Sequence, residues 1–282
     1  MVTLPRPNAR NFVTSTLKQV PCISAAGQLA VDWQHPLARG LIGAYLPGVT
    51  IHDITGINGP LVPVATKAAV KATPEGPSFG NSGTKNASSA NTAVGTMDPR
   101  LYTGWTTLSS YARIFQSAST ASSGQNWLFY LDDGTHSPAG FDAVLSTDAS
   151  NLYAPFCGSF NSGGTNATVA VNAVHGLLCT NTSGSSAQFY VDGVSATTAT
   201  LTLTNATGSS TRIEMNGCSD ASILAIYFWS RILTAAEAVS LEADPYGIFL
   251  PSISNFFPLS QGTLAPNWIM NPDVIAPQEI WF

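Results

Sequence analysis

From Tyr102 to Met215, apolar and polar positions alternate in short runs, each closed by Gly, Asn, Asp or Ser, a rhythm that predicts an all-β chain. The runs are Thr106–Gln116, Asn126–Leu131, Phe141–Ser146, Leu152–Phe156, Val169–Ala173, His175–Asn181, Ala187–Val191, Val194–Leu203 and Thr211–Met215. Asp192–Gly193 predicts a two-residue hairpin turn, because both residues tolerate the positive φ of a primed turn. Upstream, Leu41–Leu46 reads as a strand closed by Pro47–Gly48, with shorter candidates at Ile51–Thr55 and Ala65–Lys71.

The period changes after Ser219. Ile223–Trp229 is an unbroken apolar strand candidate, and the residues after it carry both ends of a short helix. Thr234 and Glu237 form a capping box, and Asp244–Pro245 supplies the stop. Leu233, Ala238 and Leu241 are spaced to lay one apolar stripe on a neighbouring layer.

Both ends of the chain lack a sustained period. Pro5, Pro7 and Pro21 interrupt residues 1–32, which read as an N-terminal arm ahead of a domain over 33–247. In 248–282, Pro251, Pro258, Pro266, Pro272 and Pro277 forbid regular structure, yet the segment is too apolar for a solvated linker. Phe256, Phe257, Trp268, Ile269, Trp281 and Phe282 are the candidate anchors by which this arm docks on its own domain or on a neighbouring subunit.

Composition narrows the function classes. Charged residues make up 10 % of the 282, against roughly 25 % in an average globular protein. The polarity comes from Ser, Thr, Asn and Gly. A net charge of −5, with no Lys or Arg between Arg113 and Arg212, offers no patch for nucleic acid; Arg6, Arg10 and Lys18 are too few to make one. The first residues hold prolines and arginines where a signal peptide needs an apolar region. No apolar run approaches the roughly 20 residues that span a bilayer. The expectation is therefore synthesis in a cytoplasm without membrane insertion. Cys22, Cys157, Cys179 and Cys218 lie far apart with no ligand spacing and read as buried core residues.

Three stretches resemble one family. Trp33-Gln34-His35-Pro36-Leu37-Ala38-Arg39-Gly40-Leu41, the hairpin Phe189-Tyr190-Val191-Asp192-Gly193, and Tyr227-Phe228-Trp229-Ser230-Arg231-Ile232-Leu233-Thr234-Ala235-Ala236-Glu237 are similar to the laminin-G-like domains of tailed-bacteriophage virion proteins. His52-Asp53-Ile54-Thr55-Gly56-Ile57-Asn58-Gly59 resembles a turn of that family with one residue inserted. The resemblance covers roughly 33–247. It implies a concanavalin A-like jelly-roll β-sandwich with one short C-terminal helix and extended terminal arms. It also implies a virion structural protein (capsid decoration, head or tail fibre, or another tail component) that assembles with other virion proteins and as a homo-oligomer. His175 falls where the family often buries a histidine, and His35 before Pro36 fits a turn contact.

A lectin-like adhesin for host glycan is the competing reading. Asp132, Asp133 and Asp142 are the one acidic cluster, a candidate glycan or calcium rim by that resemblance, beside ordinary solvated turn residues. Trp127, with Trp105 and Tyr153, is a candidate sugar platform, although sandwich aromatics are more often core. No catalytic residues are assigned and no cofactor beyond calcium is expected. Glycosidases need two carboxylates about 5 to 10 Å apart, and Glu214 has no acidic partner two or four residues away on its own strand. A nucleophile elbow and a phosphate-binding glycine loop are both missing from the sequence.

Overall fold

The computed structural model describes residues 18, 20–21, 29–63, 68–81, 93–97, 108–116, 126–132, 143–147, 152–157, 167–168, 170, 172–183, 186–200, 211–215 and 221–250. In chain order these form β1 (Ala30–Val31), β2 (Leu41–Tyr45), β3 (Val62–Pro63), β4 (Ala68–Thr73), β5 (Gly76–Asn81) and β6 (Ala93–Met97). Next come β7 (Ser109–Gln116), β8 (Asn126–Asp132), β9 (Ala143–Thr147), β10 (Leu152–Cys157), β11 (Ala167–Thr168) and β12 (Ala173–Ser183). The last are β13 (Ser186–Val191), β14 (Val194–Thr200), β15 (Thr211–Met215), β16 (Ala221–Trp229), helix α1 (Ala235–Ala243) and β17 (Phe249–Leu250).

One sheet has the order β14-β13-β12-β7-β16-β5-β4, with β2 also paired to β16; the other runs β11-β10-β9-β8-β15-β6-β3. β16, the predicted core strand, is the spine of the first. It pairs with β7 along its length, and its other edge meets β5 at Ile223 and β2 from Ile226 to Trp229. Asp192 and Gly193 take φ 52° and 76°, so the predicted primed turn joins β13 to β14.

Cross-strand register divides the eight-stranded sheet into two faces. Tyr111, Arg113, Tyr227, Trp229, Leu178 and Ala44 share one, while Ala112, Ile114, Ile226, Phe228, Tyr45 and Leu177 share the other. All twelve are buried. The first face packs with Val20, Val31, Leu37, Leu241, Ile248 and Phe249, from α1 and the flanking segments. The other face is then the one that stacks on the seven-stranded sheet, as a sandwich requires. On the outer face Tyr227 stacks on Tyr111 at 5.5 Å and meets Trp229 and Phe249 edge-on. Fully burying side chains of this kind contributes about 1.5–3 kcal/mol each.

The two end signatures meet in space. The Trp229 indole N–H donates to the Leu37 carbonyl at 2.6 Å, and Arg231 Nε donates to the Arg39 carbonyl at 2.6 Å. His35 caps the short 3-10 turn Pro36–Ala38 by accepting the Leu37 N–H on Nδ1, the turn contact expected of it. The capping box of α1 is present, with Glu237 also paired to Arg231 at 2.6 Å.

Several elements depart from the sequence reading. Ile51–Thr55 is turn, because the Asp53 carboxylate accepts the N–H groups of Ala44, Thr55 and Asn58 and the Thr55 hydroxyl; a side chain thereby takes the place of a strand ladder. Of the expected strand Val169–Ala173, Val169 and Val171 lie outside the described residues, Asn172 turns the chain at φ 56°, and β12 begins at Ala173. Val20, Ala30 and Val31, read as arm, are packed on the sandwich, since β1 pairs with β17. Ile248 and Phe249, placed beyond residue 247 in the second arm, are buried in that same cluster.

Candidate functional site

Arg113 sits in the middle of β7 with 2 % of its surface exposed. A guanidinium buried this far needs carboxylates, and four separate segments supply its surroundings. The β4–β5 turn brings Glu75, whose two oxygens accept from Arg113 Nε at 2.9 Å and an Nη at 2.5 Å. Helix α1 brings Glu242, at 2.6 Å from the other Nη. Glu242 also pairs with Lys18 at 2.5 Å, and the Tyr246 hydroxyl donates to Glu75 at 3.1 Å. Burial alone would lower the Arg113 pKa, but the Glu75 bond and the surrounding negative charge outweigh it and hold the group firmly cationic. Burial pushes the hydroxyls of Tyr111 and Tyr246 well above their ordinary value. With both carboxylates engaged and the cation satisfied, this cluster clamps the flanks to the sheet and leaves nothing to act on a substrate. Sequence reading missed it, although a lone arginine in Ser109–Gln116, Ser-Ser-Tyr-Ala-Arg-Ile-Phe-Gln, was the signal.

His175 is buried, as expected, and both ring nitrogens face acceptors. Nδ1 lies 2.8 Å from the Asp192 carboxylate and Nε2 lies 2.9 Å from the Ala170 carbonyl. Both neighbours are acceptors, so the site favours the imidazolium form of the ring. Burial opposes that charge, but the Asp192 and Ala170 bonds prevail and raise the pKa above its ordinary value. The Asp192 carboxyl is lowered: burial opposes the shift, and the bonds from His175 and the Gly176 N–H outweigh it. The pair locks the hairpin turn to β12.

An open cleft of about 550 Å3 lies beside β4, between the loop Pro47–His52 and Ala69, Val70 and Phe79. Its lining is mostly apolar, with Thr50 and His52 as the polar side chains.

The seven-stranded sheet presents a different chemistry. Register sets Arg212 opposite Asp132, and Glu214 opposite Tyr130. These four therefore share one face, with Thr96 and Val94 in the same rows on β6. Ile213, Met215, Leu131 and Phe129 share the other, with Leu145. A register shift between Trp127 and Phe129 sets Trp127 opposite Ser146, which puts it on the Tyr130–Asp132 face. Tyr153 pairs with Thr147, two residues from Leu145, and so falls on the apolar face. Such alternation is that of a sheet with one apolar and one mixed face, the pattern of a sandwich layer.

No protein-family model matches the chain, and no curated protein matches it. Solved structures do. The sialidase of Trypanosoma rangeli, in complex with 2,3-difluorosialic acid, is 14 % identical, with a TM-score of 0.51 over 81 % of this chain and 36 % of the sialidase. Domain 4 of AbnA, a GH43 extracellular arabinanase from Geobacillus stearothermophilus solved with arabinotriose, is 12 % identical. Its TM-score is 0.51 over 72 % of this chain and 98 % of that domain. The chain is an all-β jelly-roll sandwich. It spans about a third of the length of the sialidase it matches.

Of the residues singled out in the sequence, Trp127 and Asp132 fall on one strand and one face. Asp133 and Asp142 lie outside the described residues, as do Trp105 and the anchors Phe256, Phe257, Trp268, Ile269, Trp281 and Phe282. Among the described residues no group of three His, Cys, Asp or Glu could hold a metal ion. Register adds Arg212, Glu214 and Tyr130 to the face. It also gives Glu214 the acidic neighbour that its own strand lacks: Asp132 stands one diagonal step away, typically about 7–8 Å between backbones.

Proposed function

We propose that this chain is a non-enzymatic, glycan-recognising jelly-roll module of a tailed-bacteriophage virion. One observation carries the glycan part: an aromatic residue, Trp127, shares a sheet face with Tyr130, Asp132, Arg212 and Glu214. An aromatic ring stacks on the apolar side of a sugar, while carboxylate and guanidinium groups match its hydroxyls as acceptors and donors. Among the described residues, the outer face of the opposite sheet is covered by α1, β1, β17 and Val20. Arabinotriose in the arabinanase domain is in keeping with this reading.

The register offers Asp132 a role other than catalysis. Asp132 and Arg212 stand directly opposite in the register, the placement in which opposite charges stabilise a sheet. The virion setting and assembly with other virion proteins rest on the family resemblance and on the proline-interrupted apolar segment 251–282. Its aromatic side chains are the anchors for a neighbouring subunit.

Two experiments test the proposal. Binding of the full chain to an array of host-surface glycans should give saturable signals without release of reducing sugar. Glycan cleavage abolished by Glu214→Gln would replace the module with a hydrolase. Deleting 251–282 should abolish incorporation into particles while the protein stays folded, and unchanged incorporation would remove the assembly role.

A further inference from the structure

We infer that the mixed face of the seven-stranded sheet selects charge-neutral glycans over sialylated or other anionic ones; the inference rests on the glycan-binding reading above. The rows shared by β8, β15 and β6 carry two carboxylates, Asp132 and Glu214, and one cation, Arg212. Their local sum is negative, and so is the net charge of −5 on the whole chain. An anionic sugar needs a free guanidinium fork or ammonium to repay its desolvation. In the register Asp132 stands directly opposite Arg212, and Glu214 lies two residues on along the same face of β15, so carboxylates outnumber the cation in these rows. A sialate carboxylate would meet two like charges and one opposite charge in these rows. A neutral sugar meets the reverse situation. Its hydroxyl pairs donate to the carboxylates and accept from the guanidinium, and no buried charge is left unmatched.

The dimensions fit an oligosaccharide. Trp127 to Asp132 covers roughly 15 Å along β8 at about 3.3 Å per residue, and three strands span about 10 Å at 4.7–4.9 Å spacing. A chain of a few sugar rings can therefore lie with one ring at Trp127 and another at the charged rows.

The test uses the full chain and matched pairs of immobilised oligosaccharides, each with and without terminal sialic acid or a uronic acid. The neutral member should bind about tenfold or more tightly at physiological ionic strength. Equal or tighter binding of the anionic member overturns the selection while leaving glycan binding intact. Binding of neither member overturns both. Asp132→Asn should balance the charge of these rows and shrink the gap to about threefold or less, and an unchanged gap would overturn the charge argument. Should that variant fail to fold, Arg212→Gln serves instead and is expected to widen the gap; a narrowed gap contradicts the inference.

Discussion

Arg113 and Glu242 stand 129 residues apart in sequence and meet at 2.6 Å over the outer face of the eight-stranded sheet. The bond ties the middle of β7 to helix α1. With Glu75, Tyr246 and Lys18, the two residues fasten four elements to that face: the β4–β5 turn, the N-terminal flank, the helix and the segment leading into β17. Together these bonds cover this part of the outer face of the eight-stranded sheet.

Removing the cation strands two carboxylates in a site built for it. Arg113→Leu should destabilise the protein by about 3–5 kcal/mol, read as a fall in the urea midpoint. A loss below about 1 kcal/mol, the scale of an exposed ion pair, would show that the cluster is not the clamp described.

Gly176 lies directly under this clamp. A Cβ there would come 2.2 Å from Glu242 Oε2 and 2.9 Å from the Tyr111 hydroxyl, so Gly176→Ala must push Glu242 off Arg113. The expected cost is about 1–3 kcal/mol. The Gly176→Ala, Glu242→Ala double variant should recover part of it, because the displaced carboxylate is gone. Strict additivity in that cycle would refute the contact.

His175 and Asp192 make the hairpin clamp pH-dependent. The folded His175 pKa is raised above 6.5, so its stabilisation is complete below that value and fades as pH rises through the folded pKa. The folded Asp192 pKa is lowered from 3.8, so its share is present above that value and fades as pH falls through the folded pKa. The two overlap between about pH 4 and 6.5. Thermal unfolding of the protein and of His175→Gln should therefore differ most near pH 5 and converge toward pH 9. A difference that grows with pH would mean the ring is neutral.

The helix cap is a smaller, local test. Thr234→Ala removes the hydroxyl that accepts the Glu237 N–H and should cost about 0.5–2 kcal/mol. Burial works to raise the Glu237 pKa, but Arg231 and Thr234 prevail and lower it. Its contribution is present above the ordinary carboxylate value and lost as pH falls through the lowered one. The penalty of Thr234→Ala, measured by denaturant titration, should shrink in acid.

What the sequence disclosed was local. β16, the capping box, the Asp192–Gly193 turn and the His35 contact are each written within a few neighbouring residues, by period or by cap chemistry. β5 was illegible because Gly76-Pro77-Ser78-Phe79-Gly80-Asn81 has turn composition. It becomes a strand through pairing with β4 and β16, and its buried Ser78 is satisfied by Ser222 and the Lys71 carbonyl. β1 and β17 are two residues each and come from opposite ends of the described chain, beyond any window of periodicity. The candidate face was half legible for a similar reason. Trp127 and Asp132 lie on one strand, but Arg212 and Glu214 join them only through register.

Binding of neutral oligosaccharides by the full chain, measured beside Trp127→Ala, tests the central claim most directly. The account predicts saturable binding that weakens about tenfold in Trp127→Ala with an unchanged unfolding midpoint, the loss expected for one aromatic–sugar contact. Absence of saturable binding, or binding of equal strength in Trp127→Ala, would contradict it.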